Sequence, residues 1–231
     1  MAKGVFITGT GTDVGKTFVT ALLVKKLKEI KENIAYYKAA MSGNEKDRSG
    51  KLLPGDALYV KQVSQIAQKV DSMCPYVYQR AVSPHLASRM EGNPVTMDKV
   101  LKDYYSLVKK YDYITVEGSG GILCPICFDE AEIWLEDIIK EMKISTLIVA
   151  DAGLGTINSL VLTYEYMKQK NIPCKGIIFN KWEEGNVMHQ DNLAMCEYRT
   201  GLKVLACIPA NAKELRVEDE ILVSLYEEVC Q

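Results

Sequence analysis

The sequence has no apolar run near the roughly 18 residues that a membrane-spanning helix needs. Its first residues, MAKGVFITG, enter a strand-like run without the basic and long apolar segments of a signal peptide. A soluble, cytoplasmic protein is the expectation. An excess of one charge is also lacking: 28 Lys and Arg stand against 30 Asp and Glu, and the basic residues are spread along the chain. That argues against nucleic acid or a membrane surface as partner and favours small molecules. Histidine is scarce. His85 and His189 are the only two, and neither has a triad-like context. His85 reads as a residue stabilising its loop, and His189 as a helix surface position. Cys124-Pro125-Ile126-Cys127 is a C-x-x-C, but a zinc site needs two more Cys or His ligands at motif spacing and only these two histidines and scattered cysteines remain, which argues against a metal or redox role. The cysteines, Cys74, Cys124, Cys127, Cys174, Cys196, Cys207 and Cys230, number seven and mostly lie in apolar runs. An odd count in such settings fits a reducing compartment and no structural disulfide. Repeats and low-complexity tracts are missing as well.

What is present is enough apolar material for a core: 48% of 231 residues, the size of one large α/β domain, so residues 1–231 are expected to form a single unit. Short apolar runs at 5–8, 34–38, 113–117, 145–150, 176–180 and 204–208 read as strands with both faces covered. Amphipathic helices lie between them, among them Thr17 to Ile30 and a helix after Thr96, which can cap it. Such alternation predicts an α/β fold, a mostly parallel β-sheet with helices on both faces. The polar, glycine-rich segment 39–55 reads as a loop of functional length.

One stretch carries chemistry at once: GTGTDVGKT, Gly9 to Thr17, between the first strand and the first helix. Gly15-Lys16-Thr17 fits the end of a phosphate-binding loop, but the glycine expected at position 10 is threonine, and Gly9 and Gly11 flank it. Glycines permit positive φ, and a helix N-terminus attracts anions, so the loop can still cradle phosphates. Lys16 would face the terminal phosphates and Thr17 would bind Mg²⁺. Glu117 ends the strand YITVE ahead of Gly118, Gly120 and Gly121, where a second metal ligand belongs in such a sheet. From local sequence, Asp56 serves equally as a helix N-cap, and Lys38 as a strand-end lysine reaching solvent.

GTGTDVGKT, YYKAAMSG with Lys38 and Ser42, GDA with Asp56, SPHLA at 83–87, VEGSGG at 116–121, GLGTIN at 153–158 and FN at 179–180 together resemble the dethiobiotin synthetase family. The matches run in order over residues 5 to about 211, and the long-spaced loop is itself a trait of that family. The resemblance implies a P-loop NTPase fold and a cyclo-ligase. It joins 7,8-diaminopelargonate and carbon dioxide or bicarbonate into a cyclic urea, with ATP as co-substrate, Mg²⁺ as cofactor and a homodimer as the working unit. It implies Lys38 and Lys16 as catalytic residues and Thr17, Asp56 and Glu117 as metal ligands. The nucleotide would meet Asp13, Val14, Gly15, Lys16, Thr17 and Phe18, then Asp56, Glu117, Gly118, Ser119 and Gly120. Lys181 would also meet the nucleotide, and Asn180, Pro209, Ala210 and Asn211 would line its base pocket. Thr12 and Ser42 would contact substrate, and Gly155 and Asn158 would hold the substrate carboxylate from the other subunit.

The chain departs from the family pattern in three places. Ala39 stands where a proline often follows the lysine, Asn44 ends what is SGS in relatives, and NKWE at 180–183 is an incomplete guanine-reading motif. Two alternatives remain open on the residues alone. A partition-type switch ATPase would carry a second lysine five residues before Lys16, where Gly11 stands. Another P-loop amidoligase or small-molecule kinase would share the loop and Glu117 but not the full ordered set.

Overall fold

The computed structural model describes residues 1–31, 33–129 and 131–229. In chain order the first elements are β1 (Lys3–Gly9), α1 (Lys16–Ile30), β2 (Ile34–Lys38), β3 (Ala40–Met41), α2 (Gly55–Ser64), β4 (Tyr76–Val77), α3 (Pro84–Glu91) and α4 (Met97–Val108). The middle holds β5 (Tyr113–Glu117), β6 (Pro125–Phe128), β7 (Glu132–Trp134), α5 (Leu135–Met142), β8 (Thr146–Asp151) and α6 (Thr156–Gln169). The chain then adds β9 (Cys174–Asn180), α7 (Val187–Thr200), β10 (Val204–Ile208), α8 (Asp219–Ser224) and β11 (Glu227–Glu228).

Six parallel strands form the sheet, as the apolar runs predict, and their order is β10-β9-β8-β1-β5-β2. Their continuous burial follows from the cover on both faces. Val5, Ile7, Tyr36, Leu147 and Val149 pack against α1, α2 and α8. Phe6, Tyr37, Ile114, Val116, Ile148 and Phe179 pack against α4 to α7 on the other side. Because the chain leaves β1 in one direction and later returns on its other side, the strand order reverses there. The loop after β1 therefore opens at the switch point, outside the carboxyl ends of the strands, where open α/β sheets take ligands.

Three small pieces of sheet add to this frame: β3 with β4, β6 with β7, and β11, which pairs antiparallel with Lys3 and Gly4 of β1. Segment 39–55 is thus more ordered than a plain loop, since Ala40 and Met41 are buried and pair with Tyr76 and Val77. β2 is one of the two outermost strands, and its free side is held by Gln68. That side chain accepts from Tyr36 N at 2.8 Å and donates to Tyr36 O at 3.0 Å, while Lys38 N donates to Met73 O at 2.9 Å.

Thr96 does cap α4. Its hydroxyl accepts from Lys99 N, and both its hydroxyl and its main-chain N–H meet Tyr76 Oη. Thr96→Ala is expected to cost about 1 kcal/mol of stability, read as a lower denaturant midpoint at unchanged slope.

Candidate active site

β1 ends at Gly9, and α1 starts at Lys16. A Cβ on Gly9 would sit 2.9 Å from Val14 Cγ2 and 3.1 Å from Lys16 Cγ and Cδ, so the loop folds back on the strand only because a hydrogen is there. Gly15, with φ 89°, occupies the left-handed region and leaves no space for a Cβ beside Asn180 Nδ2. Gly11 has open space around it, and its part is its carbonyl, which accepts from Lys16 Nζ at 2.8 Å. The spacing is thereby explained: Gly9 takes the place of the first loop glycine, and the turn is one residue longer. No side chain caps α1, so its first N–H groups remain for an anion. Lys16 is buried, and burial together with repulsion from Lys38 lowers its pKa to about 8 against the pull of Glu117 and Asp56. A phosphate would relieve that unfavourable charge.

The register of β2 against β5 sets Lys38 opposite Glu117. Lys38 Nζ donates to Glu117 Oε1 at 2.7 Å and to Asp56 Oδ2 at 2.6 Å. Glu117 Oε1 also accepts from Thr17 Oγ1 at 2.7 Å, and Oε2 from Tyr36 Oη at 3.0 Å. Burial pushes the Lys38 ammonium down, but Glu117 and Asp56 outweigh it and leave the group above the ordinary lysine range. Asp56 is held below the usual carboxylate range: burial opposes this, and Lys38 and the Thr17 hydroxyl prevail. Lys38 is thus buried at the site and does not reach solvent. Asp56 is the second residue of α2, whose N-cap is Pro54, so it is not a cap. Its charge still suits that helix end. One hydroxyl and two carboxylates already gather around a single positive charge, and these are the hard oxygen donors that Mg²⁺ prefers. Among the described residues, no group of three or more His, Cys, Asp and Glu side chains converges.

A family model described as an AAA domain matches residues 3–215. The ATP-dependent dethiobiotin synthetase BioD of Clostridium botulinum (strain Loch Maree / Type A3) is 47% identical over 229 residues, 99% of this chain and 100% of the relative. The chain belongs to the dethiobiotin synthetase family. The synthetase of the same name from Brachyspira hyodysenteriae (strain ATCC 49526 / WA1) is 48% identical over 98% of this chain and 100% of its own length. This chain is therefore an ATP-using ligase of that family, and the switch ATPase and kinase alternatives fall away. Solved structures share the fold. The MinC:MinD cell division protein complex of Aquifex aeolicus has TM-score 0.57 at 15% identity, covering 92% of this chain and 83% of that one. A ParA family ATPase from Chlorobium tepidum TLS has TM-score 0.55 at 12% identity, covering 96% and 88%. At such identities the likeness concerns the fold alone.

In the synthetase, a cleft of about 560 Å³ opens beside the loop, lined by Thr12, Asp13, Lys38, Ser42, Asp56, Ser119 and Gly120, with residues 81–84 as its far wall. Ser119 Oγ donates to Ala40 O at 2.7 Å, tying the glycine-rich turn after β5 to the start of segment 39–55. A second cleft, of about 360 Å³, lies where β9 and β10 end, between Trp182, Glu184, Cys207, Pro209, Glu214 and Arg216. Ala210 and Asn211 are exposed beside it. Asn180 does not line it. This buried residue donates from Nδ2 to Val14 O at 3.0 Å, and its Oδ1 has no partner among the described residues. Lys181 Nζ bonds Asp151 Oδ2 at 2.7 Å and Asp13 O at 3.4 Å.

Trp182 and Arg216 were not singled out by sequence reasoning, although Trp182 directly follows the motif lysine. The guanine-type acid, Glu183, turns away from the cleft to Asn186, the N-cap of α7. His189 is not a surface residue: it is buried against Trp182, with its Nδ1 accepting from Glu183 N at 3.1 Å. Gly155 and Asn158 are exposed at the start of α6, outside both clefts. The six described cysteines are free. Cys124, half-buried at the cleft, has its thiol pushed up to about 11 by burial. Cys230 lies outside the described residues.

Proposed function

We propose that this synthetase forms the cyclic urea of dethiobiotin from 7,8-diaminopelargonate and carbon dioxide or bicarbonate, with ATP as co-substrate and Mg²⁺ as cofactor. One observation carries the reading. Thr12 and Asp13 of the phosphate loop, the buried Lys38 ammonium and the Asp56 carboxylate line one cleft at the carboxyl ends of β1, β2 and β5, and Lys38 also bonds the Glu117 carboxylate buried beside it.

In the reaction, one substrate amine takes up carbon dioxide and loses a proton to give a carbamate, a carbamate oxygen attacks the γ-phosphorus of ATP and displaces ADP, and the second amine attacks the carbon of the resulting carbamic-phosphoric anhydride and expels phosphate. The substrate supplies both nucleophiles, so the protein's task is position and charge. Lys16 meets the terminal phosphates and Lys38 the anionic carbamate as it approaches them. Backbone groups from Asp13 to Phe18 and from Gly118 to Gly120 follow the phosphates. Thr12 and Ser42 contact the substrate. Asn180, Lys181 and residues 209–211 serve the base end, next to the second cleft. Thr17, Asp56 and Glu117 hold the metal, whose charge offsets that of the transferred phosphoryl group.

The working unit is a homodimer. Gly155 and Asn158, exposed beside Leu154 (93% exposed), reach the substrate carboxylate in the other subunit's site. The single unit spans residues 1–231 and works in the cytoplasm, in keeping with its free cysteines and with no described helix long and apolar enough to cross a membrane.

Phosphate release is measured with ATP and Mg²⁺, with and without diaminopelargonate and bicarbonate, alongside mass detection of the urea. Release that needs both, with urea formed, supports the reading. Release regardless of both, with no urea, removes the substrate assignment. Activity per protomer that falls on dilution supports the dimer, and a fully active monomer contradicts it.

A further inference from the structure

Tyr36 and Lys38 stand two residues apart on β2 and so share one face of the sheet. The phenol rises from within the core to the carboxylate that Lys38 meets from beside it. Glu117, fully buried in its side chain, distributes its two oxygens unequally. Oε1 faces the loop and takes the Thr17 hydroxyl and the Lys38 ammonium, while Oε2 faces the core and, among the described residues, takes the Tyr36 hydroxyl alone. Gln68 clamps the Tyr36 main chain from its other side, with bonds of 2.8 Å to N–H and 3.0 Å to C=O, so the residue carrying the phenol is itself fixed.

We infer that Tyr36 is a positioning residue for the divalent cation: its hydroxyl anchors one oxygen of Glu117 and thereby presents the other to the metal beside Thr17 and Asp56. The inference rests on the reading that Glu117 is a metal ligand. Phenylalanine at position 36 would keep the ring in the core and leave Oε2 buried without a donor, a costly state for a carboxylate. The carboxylate would then rotate to share both oxygens with the Lys38 ammonium, which competes with the metal for the same group. Partners that hold a metal ligand in this way affect metal affinity by about 10- to 100-fold when removed.

The test is calorimetric titration of Mg²⁺ into protein saturated with a non-hydrolysable ATP analogue, for wild type, Tyr36→Phe and Glu117→Gln. Nucleotide affinity in EDTA is measured in parallel. Tyr36→Phe is expected to bind Mg²⁺ at least about tenfold more weakly, with metal-free nucleotide affinity unchanged and turnover restored by excess Mg²⁺. Wild-type Mg²⁺ affinity in Tyr36→Phe, alongside a loss in Glu117→Gln, overturns the positioning role and leaves the metal site standing. Unchanged affinity in both variants overturns the metal reading of Glu117 as well. Loss of metal-free nucleotide binding in Tyr36→Phe also overturns the inference, because the phenol would then support the site as a whole and not the cation.

Discussion

Lys38→Ala is expected to bind ATP nearly as wild type does and to turn over roughly 10²- to 10³-fold more slowly or worse. The affinity survives because the phosphate loop, Lys16 and the start of α1 are untouched. Turnover falls because an anionic carbamate must approach an anionic phosphate, and the fixed charge between them is gone. That charge is dependable: the Lys38 side chain is only 7% exposed, and its two carboxylate partners keep it protonated despite burial. The same change has a structural cost, since breaking a buried pair by removing one partner costs about 3–5 kcal/mol. Lys38→Met separates the effects by keeping the volume. A turnover near wild type in either variant would take Lys38 out of the mechanism, whatever the melting temperature does.

Gly15→Ala should abolish productive nucleotide binding. The left-handed backbone at φ 89° costs a non-glycine residue about 1–3 kcal/mol, which alone converts to roughly 10- to 100-fold in affinity if the loop must relax. The added methyl also meets the Asn180 amide, which holds the loop by its bond to Val14 O. Relief of one clash thus breaks the other contact. Adding Asn180→Ala to Gly15→Ala removes the collision, but the backbone strain stays and the bond to Val14 O is lost, so affinity should not return. Titration with a fluorescent nucleotide reads both. Wild-type affinity in Gly15→Ala would mean that this loop does not carry the phosphates.

The six parallel strands were legible because each is a continuous apolar run buried on both faces. The structure extends β1 and β9 by up to two residues at an end, moves β8 on by one residue to Thr146–Asp151, and keeps the other three positions. β3, β4 and β11 had no such signal: two residues carry no periodicity, and they exist only through partners distant in the chain. The phosphate loop was readable as chemistry, but not which of its two early glycines mattered, since that depends on Val14 and Lys16 folding back over Gly9. Lys38 remained ambiguous for the same kind of reason. Its role follows from register with Glu117, 79 residues away. Tyr36 looked like one more apolar strand residue, and His189 like one more polar helix residue. A hydroxyl aimed at a carboxylate and a ring packed on Trp182 are facts of assembly, which no local pattern encodes.

The clamp on β2 has a meaning beyond the site. An outermost strand offers unpaired amides and carbonyls to any passing chain and so can seed intermolecular sheet growth. Here the side-chain amide of Gln68 imitates a neighbouring strand at Tyr36, and the carbonyl of Met73 takes the Lys38 amide. The segment that brings Asp56 into place therefore also closes this one of the sheet's two borders to self-association, and changes made there to alter specificity would be paid for in solubility.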